Sequence, residues 1–78
     1  MAWSHAVIGE PDGTCRVEIT DEDGVDWPVA RQLSRAQADR LIQRIQAEAE
    51  ASGRPVKSVI RDPYFMAATV IIVKRLPN

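Results

Sequence analysis

The sequence predicts an α+β fold: an antiparallel sheet of four to five strands with one helix packed on one face, in the order βββαββ. Three observations predict it. Residues 3–30 alternate apolar and polar with period two and are broken by Pro11-Asp12-Gly13 and Asp23-Gly24. Residues 34–53 place apolar side chains three and four apart between a capping serine and a glycine. Residues 56–74 hold β-branched runs split by Asp62-Pro63. Period two marks a half-buried strand and period 3.6 an amphipathic helix.

The first strand carries Trp3, His5 and Val7 against Ser4, Ala6 and Ile8. Pro11-Asp12-Gly13 then turns the chain, because proline pre-sets φ, aspartate bonds to nearby backbone and glycine tolerates positive φ. Cys15, Val17 and Ile19 form the apolar side of the second strand, opposite Arg16, Glu18 and Thr20. Asp23-Gly24 makes a second tight turn. Val25, Trp27 and Val29 follow in a third strand, and Pro28, lacking a backbone donor, predicts that it lies at an edge or ends early.

Ser34 with Gln37 three residues later has the spacing of a capping box. Ala38, Leu41, Ile42, Ile45 and Ala49 share one helix face. Arg35–Asp39 and Arg44–Glu48 are i,i+4 pairs on the outer surface. Gly53 and Pro55 end the helix. Val56, Ser58 and Ile60 alternating with Lys57, Val59 and Arg61 predict a fourth strand. Met66 to Lys74, apolar on both faces and rich in β-branched residues, predicts a fifth, central one. One helix covers about half of such a sheet, so a homodimer partner, a binding target or the two tryptophans must cover the rest.

Seventy-eight residues make one domain with a small core. Hydrophobic residues at 45 % and charged residues at 27 % are ordinary globular values, which argues against disorder. One cysteine permits no internal disulfide, and one cysteine with one histidine does not make a structural zinc site. A reducing, cytoplasmic setting in a bacterial host is expected. Met1-Ala2-Trp3-Ser4-His5 lacks the order of a signal peptide. No apolar run reaches the roughly 20 residues that span a bilayer.

Charge is sorted by position. Residues 1–30 carry seven acids against one base, a local net of −6, and residues 31–78 carry nine bases against four acids, a net of +5. The whole chain is at −1. Asp21, Glu22, Asp23 and Asp26 cluster at the second hairpin, but they do not follow a calcium loop. Counted from Asp21, Val25 falls at position 5 and Gln32 at position 12, where oxygen ligands are required. Gly9-Glu10-Pro11-Asp12-Gly13 lacks the lysine and the following helix of a phosphate loop. His5 and its neighbour Ser4 point to opposite faces of a strand, so no nucleophile–base pair forms there. Cys15 lies on the apolar register and reads as a small buried hydrophobe. Arg40, Arg44, Lys57, Arg61, Lys74 and Arg75 could form a basic stripe for phosphates. The acidic third of the chain would repel the same backbone, so direct nucleic-acid binding is not expected.

These observations predict no enzyme and no cofactor, but a small domain that binds a larger protein or complex with a basic surface. Glu18, Asp21, Glu22, Asp23 and Asp26 would supply the charge and Trp27 the anchor. A single domain with an acidic patch, no cofactor motif and a helix bearing Arg-Ala-Gln-Ala-Asp-Arg resembles the small anti-CRISPR proteins of phages and mobile elements. The resemblance implies a CRISPR surveillance complex as partner and loss of its DNA binding. It carries no residue-level motif. The alternative is a homodimeric regulatory or housekeeping module that pairs through an open sheet face or edge, with acids that serve solubility.

Overall fold

The computed structural model describes residues 2–77, so Met1 of the signal-peptide argument lies outside it. The elements are β1 (Ser4–Gly9), β2 (Cys15–Thr20), β3 (Asp26–Leu33), α1 (Arg35–Ser52), α2 (Val56–Ile60) and α3 (Pro63–Lys74). The fold is α+β, with one antiparallel sheet in the order β1-β2-β3. The first half of the chain follows its alternation closely. Ser4 faces Thr20 and Val7 faces Val17 across β1 and β2, and Ile19 faces Trp27 across β2 and β3. This register turns Val17 and Ile19 to the helices, where both are fully buried.

β3 is an edge strand, as Pro28 requires, and it is irregular. Its register against β2 shifts between Val17 and Glu18 and again between Cys15 and Val17. At the second shift Gln32 takes a φ of 59°, the left-handed region that side chains other than glycine rarely adopt. The extra residue reverses the alternation after Ala30, so that Leu33 points inward and is fully buried. Ser34 then caps α1 directly. Its hydroxyl accepts from the Gln37 backbone N–H at 3.0 Å, and the Gln37 side chain accepts from the Ser34 N–H at 2.9 Å. Ala38, Leu41, Ile42 and Ile45 are buried on the sheet-facing side of α1, and Gly53 ends the helix at φ 71°. Arg35 pairs with Asp39 at 3.3 Å, whereas Glu48 pairs with Arg54 rather than with Arg44.

The two strands expected after α1 are helices, so the βββαββ order and the four- to five-stranded sheet are corrected to three strands followed by three helices. In 56–60 the buried side chains are Val56 and Val59, three apart, which is helical spacing. In 63–74 Thr69 and Val73 are buried, and Phe65, Met66 and Val70 pack beside them on the same side. The β-branched run Val70–Val73 opposes a helix by roughly 2 kcal/mol in total, at about 0.5 kcal/mol per residue. Each fully buried aliphatic side chain contributes about 1.5–3 kcal/mol, so packing on α1 and α2 prevails. The start is marked as well. Asp62 takes an extended conformation, accepts from the N–H groups of Tyr64 and Phe65 at 3.1 Å each, and is followed by proline at the first helical position. Asp62-Pro63 therefore keeps Asp62 itself out of the helix but opens one immediately after it.

Gln37 does a second job. Its side-chain amide donates to the carbonyls of Lys74 and Leu76 at 3.3 and 3.0 Å, closing the end of α3 from the start of α1. The core is thus one cluster of Val17, Ile19, Leu33, Leu41, Ile45, Val56, Val59 and Val73 between the sheet and three helices. No described helix is long and apolar enough to cross a membrane.

Two substitutions test this account in urea unfolding. Asp62→Ala removes the α3 cap and should cost about 1 kcal/mol, with Asp62→Asn, also a good cap, costing less. Gln32→Gly should gain roughly 0.5 kcal/mol, because relief of the left-handed penalty exceeds the added chain entropy of glycine.

Candidate functional site

The acidic hairpin between β2 and β3 is built around Asp21. Asp21 is 3 % exposed. One carboxylate oxygen accepts from the backbone N–H groups of Asp23 and Val25 at 2.8 and 3.0 Å, and the other from Trp27 Nε1 at 2.7 Å. Gly24, at φ 82°, closes the turn beneath it and donates to the Asp21 carbonyl at 3.0 Å. The indole N–H of Trp27 and the two backbone donors hold the Asp21 carboxyl below its ordinary pKa against the opposing effect of burial.

Glu22 reaches the other half of the molecule. Its carboxylate accepts from the backbone N–H groups of Val56 and Lys57, capping the first turn of α2 in place of Pro55, which makes no side-chain cap. Burial opposes ionisation of Glu22, but the donors, led by the Val56 N–H, outweigh it and leave the carboxyl below its ordinary range. Asp23 pairs with Lys57 Nζ at 2.6 Å, which raises the lysine pKa. The Arg61 guanidinium lies 5.8 Å from the centre of the Trp27 ring, within reach of a cation–π contact.

The six residues singled out from the sequence therefore separate into two groups. Asp21, Glu22 and Trp27 are joined in one network inside the molecule. Both Asp21 oxygens and both Glu22 oxygens accept hydrogen bonds from within the chain. Trp27 sits on the helix-facing register of β3, opposite Ile19. Glu18, Asp23 and Asp26 remain at the surface. Glu18 and Asp26 stand on the outer face of the sheet, in register with Pro28 and Thr20 respectively. Asp26 accepts from the Thr20 hydroxyl at 2.5 Å. Asp23, at the tip, keeps a side-chain exposure of 58 % despite Lys57.

Sequence reasoning missed Glu10, which with Glu18 brackets Arg16 on the same outer face at 2.6 and 3.3 Å. Glu10 first, and then Glu18, raise the Arg16 pKa. It also missed Lys57 and Arg61 as internal partners of the hairpin. The signal for both was present, since an acidic half and a basic half on one short chain must meet somewhere. Arg16, Glu18, Pro28, Val29, Ala30 and Arg31 line a shallow open depression on the outer face. His5 lies on the helix-facing register beside Trp3, with ring centroids 6.0 Å apart. Cys15 is half-buried against the core. Among the described residues no three His, Cys, Asp or Glu side chains converge to hold a metal ion. No protein-family model, curated protein or solved structure matches the chain.

The network makes stability acid-sensitive in a stated direction. Asp21 and Glu22 have folded pKa values below their unfolded values of about 3.9 and 4.3. Their contribution is complete above those unfolded values and is lost as pH falls through the lower folded ones. Stability measured by urea unfolding should therefore be flat from neutral pH to about 5 and decline below about 4. In Asp21→Asn the plateau should sit lower and the decline should be shallower. An unchanged acid limb in that variant counts against Asp21 as the hub.

Proposed function

We propose that the chain is a small non-catalytic binding domain whose acidic outer face docks into a basic groove of a larger protein built to hold nucleic acid. Small anti-CRISPR proteins are the type it follows, and a CRISPR surveillance complex is the partner. One observation carries this reading. Glu18 and Asp26 stand on the solvent side of a sheet whose other side is committed to the core, beside Asp23 on a tip locked by Asp21 and Glu22. Carboxylates held in place before contact lose little side-chain and loop freedom on binding, so more of their attraction is retained. Opposite potentials would speed encounter and set the orientation of the complex. Pro28, in register with Glu18, gives the same face a small apolar floor for a partner side chain.

In this reading Glu18, Asp23 and Asp26, the surface members of the acidic set, make the contact. Asp21, Glu22 and Trp27 act behind them by holding the hairpin. The test adds the purified chain to a panel of CRISPR surveillance complexes and reads target-DNA binding by gel shift. The parent should suppress binding to at least one complex, less strongly as salt shortens the range of the charges. Glu18→Gln/Asp23→Asn/Asp26→Asn should keep the circular dichroism of the parent, melt slightly lower because the Asp23–Lys57 and Glu18–Arg16 pairs are lost, and lose at least about tenfold in inhibition, roughly 1.4 kcal/mol, at a temperature where both are folded. Equal inhibition by parent and variant would remove the acidic face from the mechanism. A parent that inhibits no complex would remove the proposed partner.

A further inference from the structure

The outer side of α3 is apolar and has no cover among the described residues. Tyr64 is 87 % exposed, Ile71 52 % and Ile72 42 %, with Ala67 and Ala68 exposed between them and Arg75 at the end. The opposite side carries Thr69 and Val73 into the core, so the stripe cannot turn inward without unpacking the helix. Such a stripe is uncommon on a small monomer.

Its order is what identifies an occupant. Tyr64, Ala68, Ile71 and Arg75 are spaced four, three and four apart, the spacing of a helix–helix seam. Under a two-fold axis between residues 69 and 70, an antiparallel second copy sets Ala68 against the partner's Ile71 at the centre of the seam, once on each side of the axis. Ala67 and Ile72 flank the seam on its two opposite sides. Tyr64 meets the partner's Arg75, a ring facing a guanidinium at both ends of the seam. The partner's Arg75 also arrives within one turn of the Asp62 carboxylate, which caps the start of α3 and already pairs with Arg54 at 3.3 Å. The parallel arrangement fails on the same residues. It stacks Lys74 and Arg75 on their own copies, sets isoleucine on isoleucine and leaves alanine facing alanine. Shape and charge are thus self-complementary in one orientation, as a two-fold interface demands.

We infer that α3 is the interface of a homodimer, with two copies packed antiparallel through Tyr64, Ala68, Ile71 and Arg75. A 12-residue helix is roughly 18 Å long, so the contact falls at the small end of specific interfaces, below about 1,200 Å² in total. Association is accordingly weak and depends on concentration. The surface lies on a different element from Glu18, Asp23 and Asp26, and the inference does not rest on the acidic face.

Sedimentation equilibrium from roughly 1 µM to 1 mM, the range of weak specific association, tests it. The parent should pass from monomer to dimer across that range. Ala68→Lys and Ile71→Glu, both at exposed positions, should each retain the melting curve of the parent and stay monomeric alone. Mixed in equal amounts they should dimerise again, because lysine 68 of one copy then faces glutamate 71 of the other. A parent that remains monomeric overturns the inference. So does a dimer that survives both single substitutions, or a mixture that fails to associate while each variant is folded.

Discussion

The molecule depends on one clasp. The tip of the β2–β3 hairpin holds the start of α2, through Glu22 on the Val56 and Lys57 N–H groups, Asp23 on Lys57 and Trp27 under Arg61. This is where the sheet half and the helical half meet outside the core. It answers two needs at once. A five-residue helix cannot sustain itself in water, since a first turn fixes several dihedrals for one hydrogen bond. Its first N–H groups also need acceptors: the Pro55 carbonyl takes those of Ser58 and Val59, but the Pro55 side chain offers none for Val56 and Lys57. A carboxylate from the hairpin meets both needs, and with α2 in place Val56 and Val59 can enter the core.

Asp21 makes that clasp rigid. A bare hairpin tip carrying four acids would spread under its own repulsion. By accepting from Asp23, Val25 and Trp27, Asp21 turns the repulsion into a closed hydrogen-bonded loop with one charge at its centre. The surrounding carboxylates then separate by task. Glu22 faces inward to α2, Asp23 bridges to Lys57, and Asp26 joins Glu18 on the outer face. The same hairpin holds the fold together and presents what negative charge is left over. Structural carboxylates and surface ones thus stand side by side.

The two surfaces left open by this arrangement differ in chemistry. The outer sheet face is charged, with Glu10, Arg16, Glu18 and Asp26 around a small apolar floor. The outer side of α3 is apolar, with cations at its end. Had the residues 66–74 been a central strand, both of their faces would have needed cover. As a helix they bury one side and expose the other. The question of what covers the apolar surplus therefore moves from the sheet to α3.

The amino-acid sequence by itself determined the three strands, their turns, the edge position of β3 and the whole of α1 with both caps. Each of these is settled by neighbours in the chain: period-two alternation, Asp-Gly and Pro-Asp-Gly turns, Ser34 with Gln37, and Gly53. It also located the acidic cluster. Tertiary structure alone decided the rest. Val70-Ile71-Ile72-Val73 has the local preference of a strand, and only the packing of Met66, Thr69, Val70 and Val73 against α1 and α2 makes it a helix. Whether an aspartate at a hairpin tip faces solvent or an indole N–H cannot be read from spacing. For Asp21 it depends on where a tryptophan six residues later comes to lie, as the inward turn of Glu22 depends on a helix thirty-four residues later. Local propensity is worth tenths of a kcal/mol per residue, whereas burial contributes on the order of a kcal/mol or more per side chain, so long-range contacts have the final say.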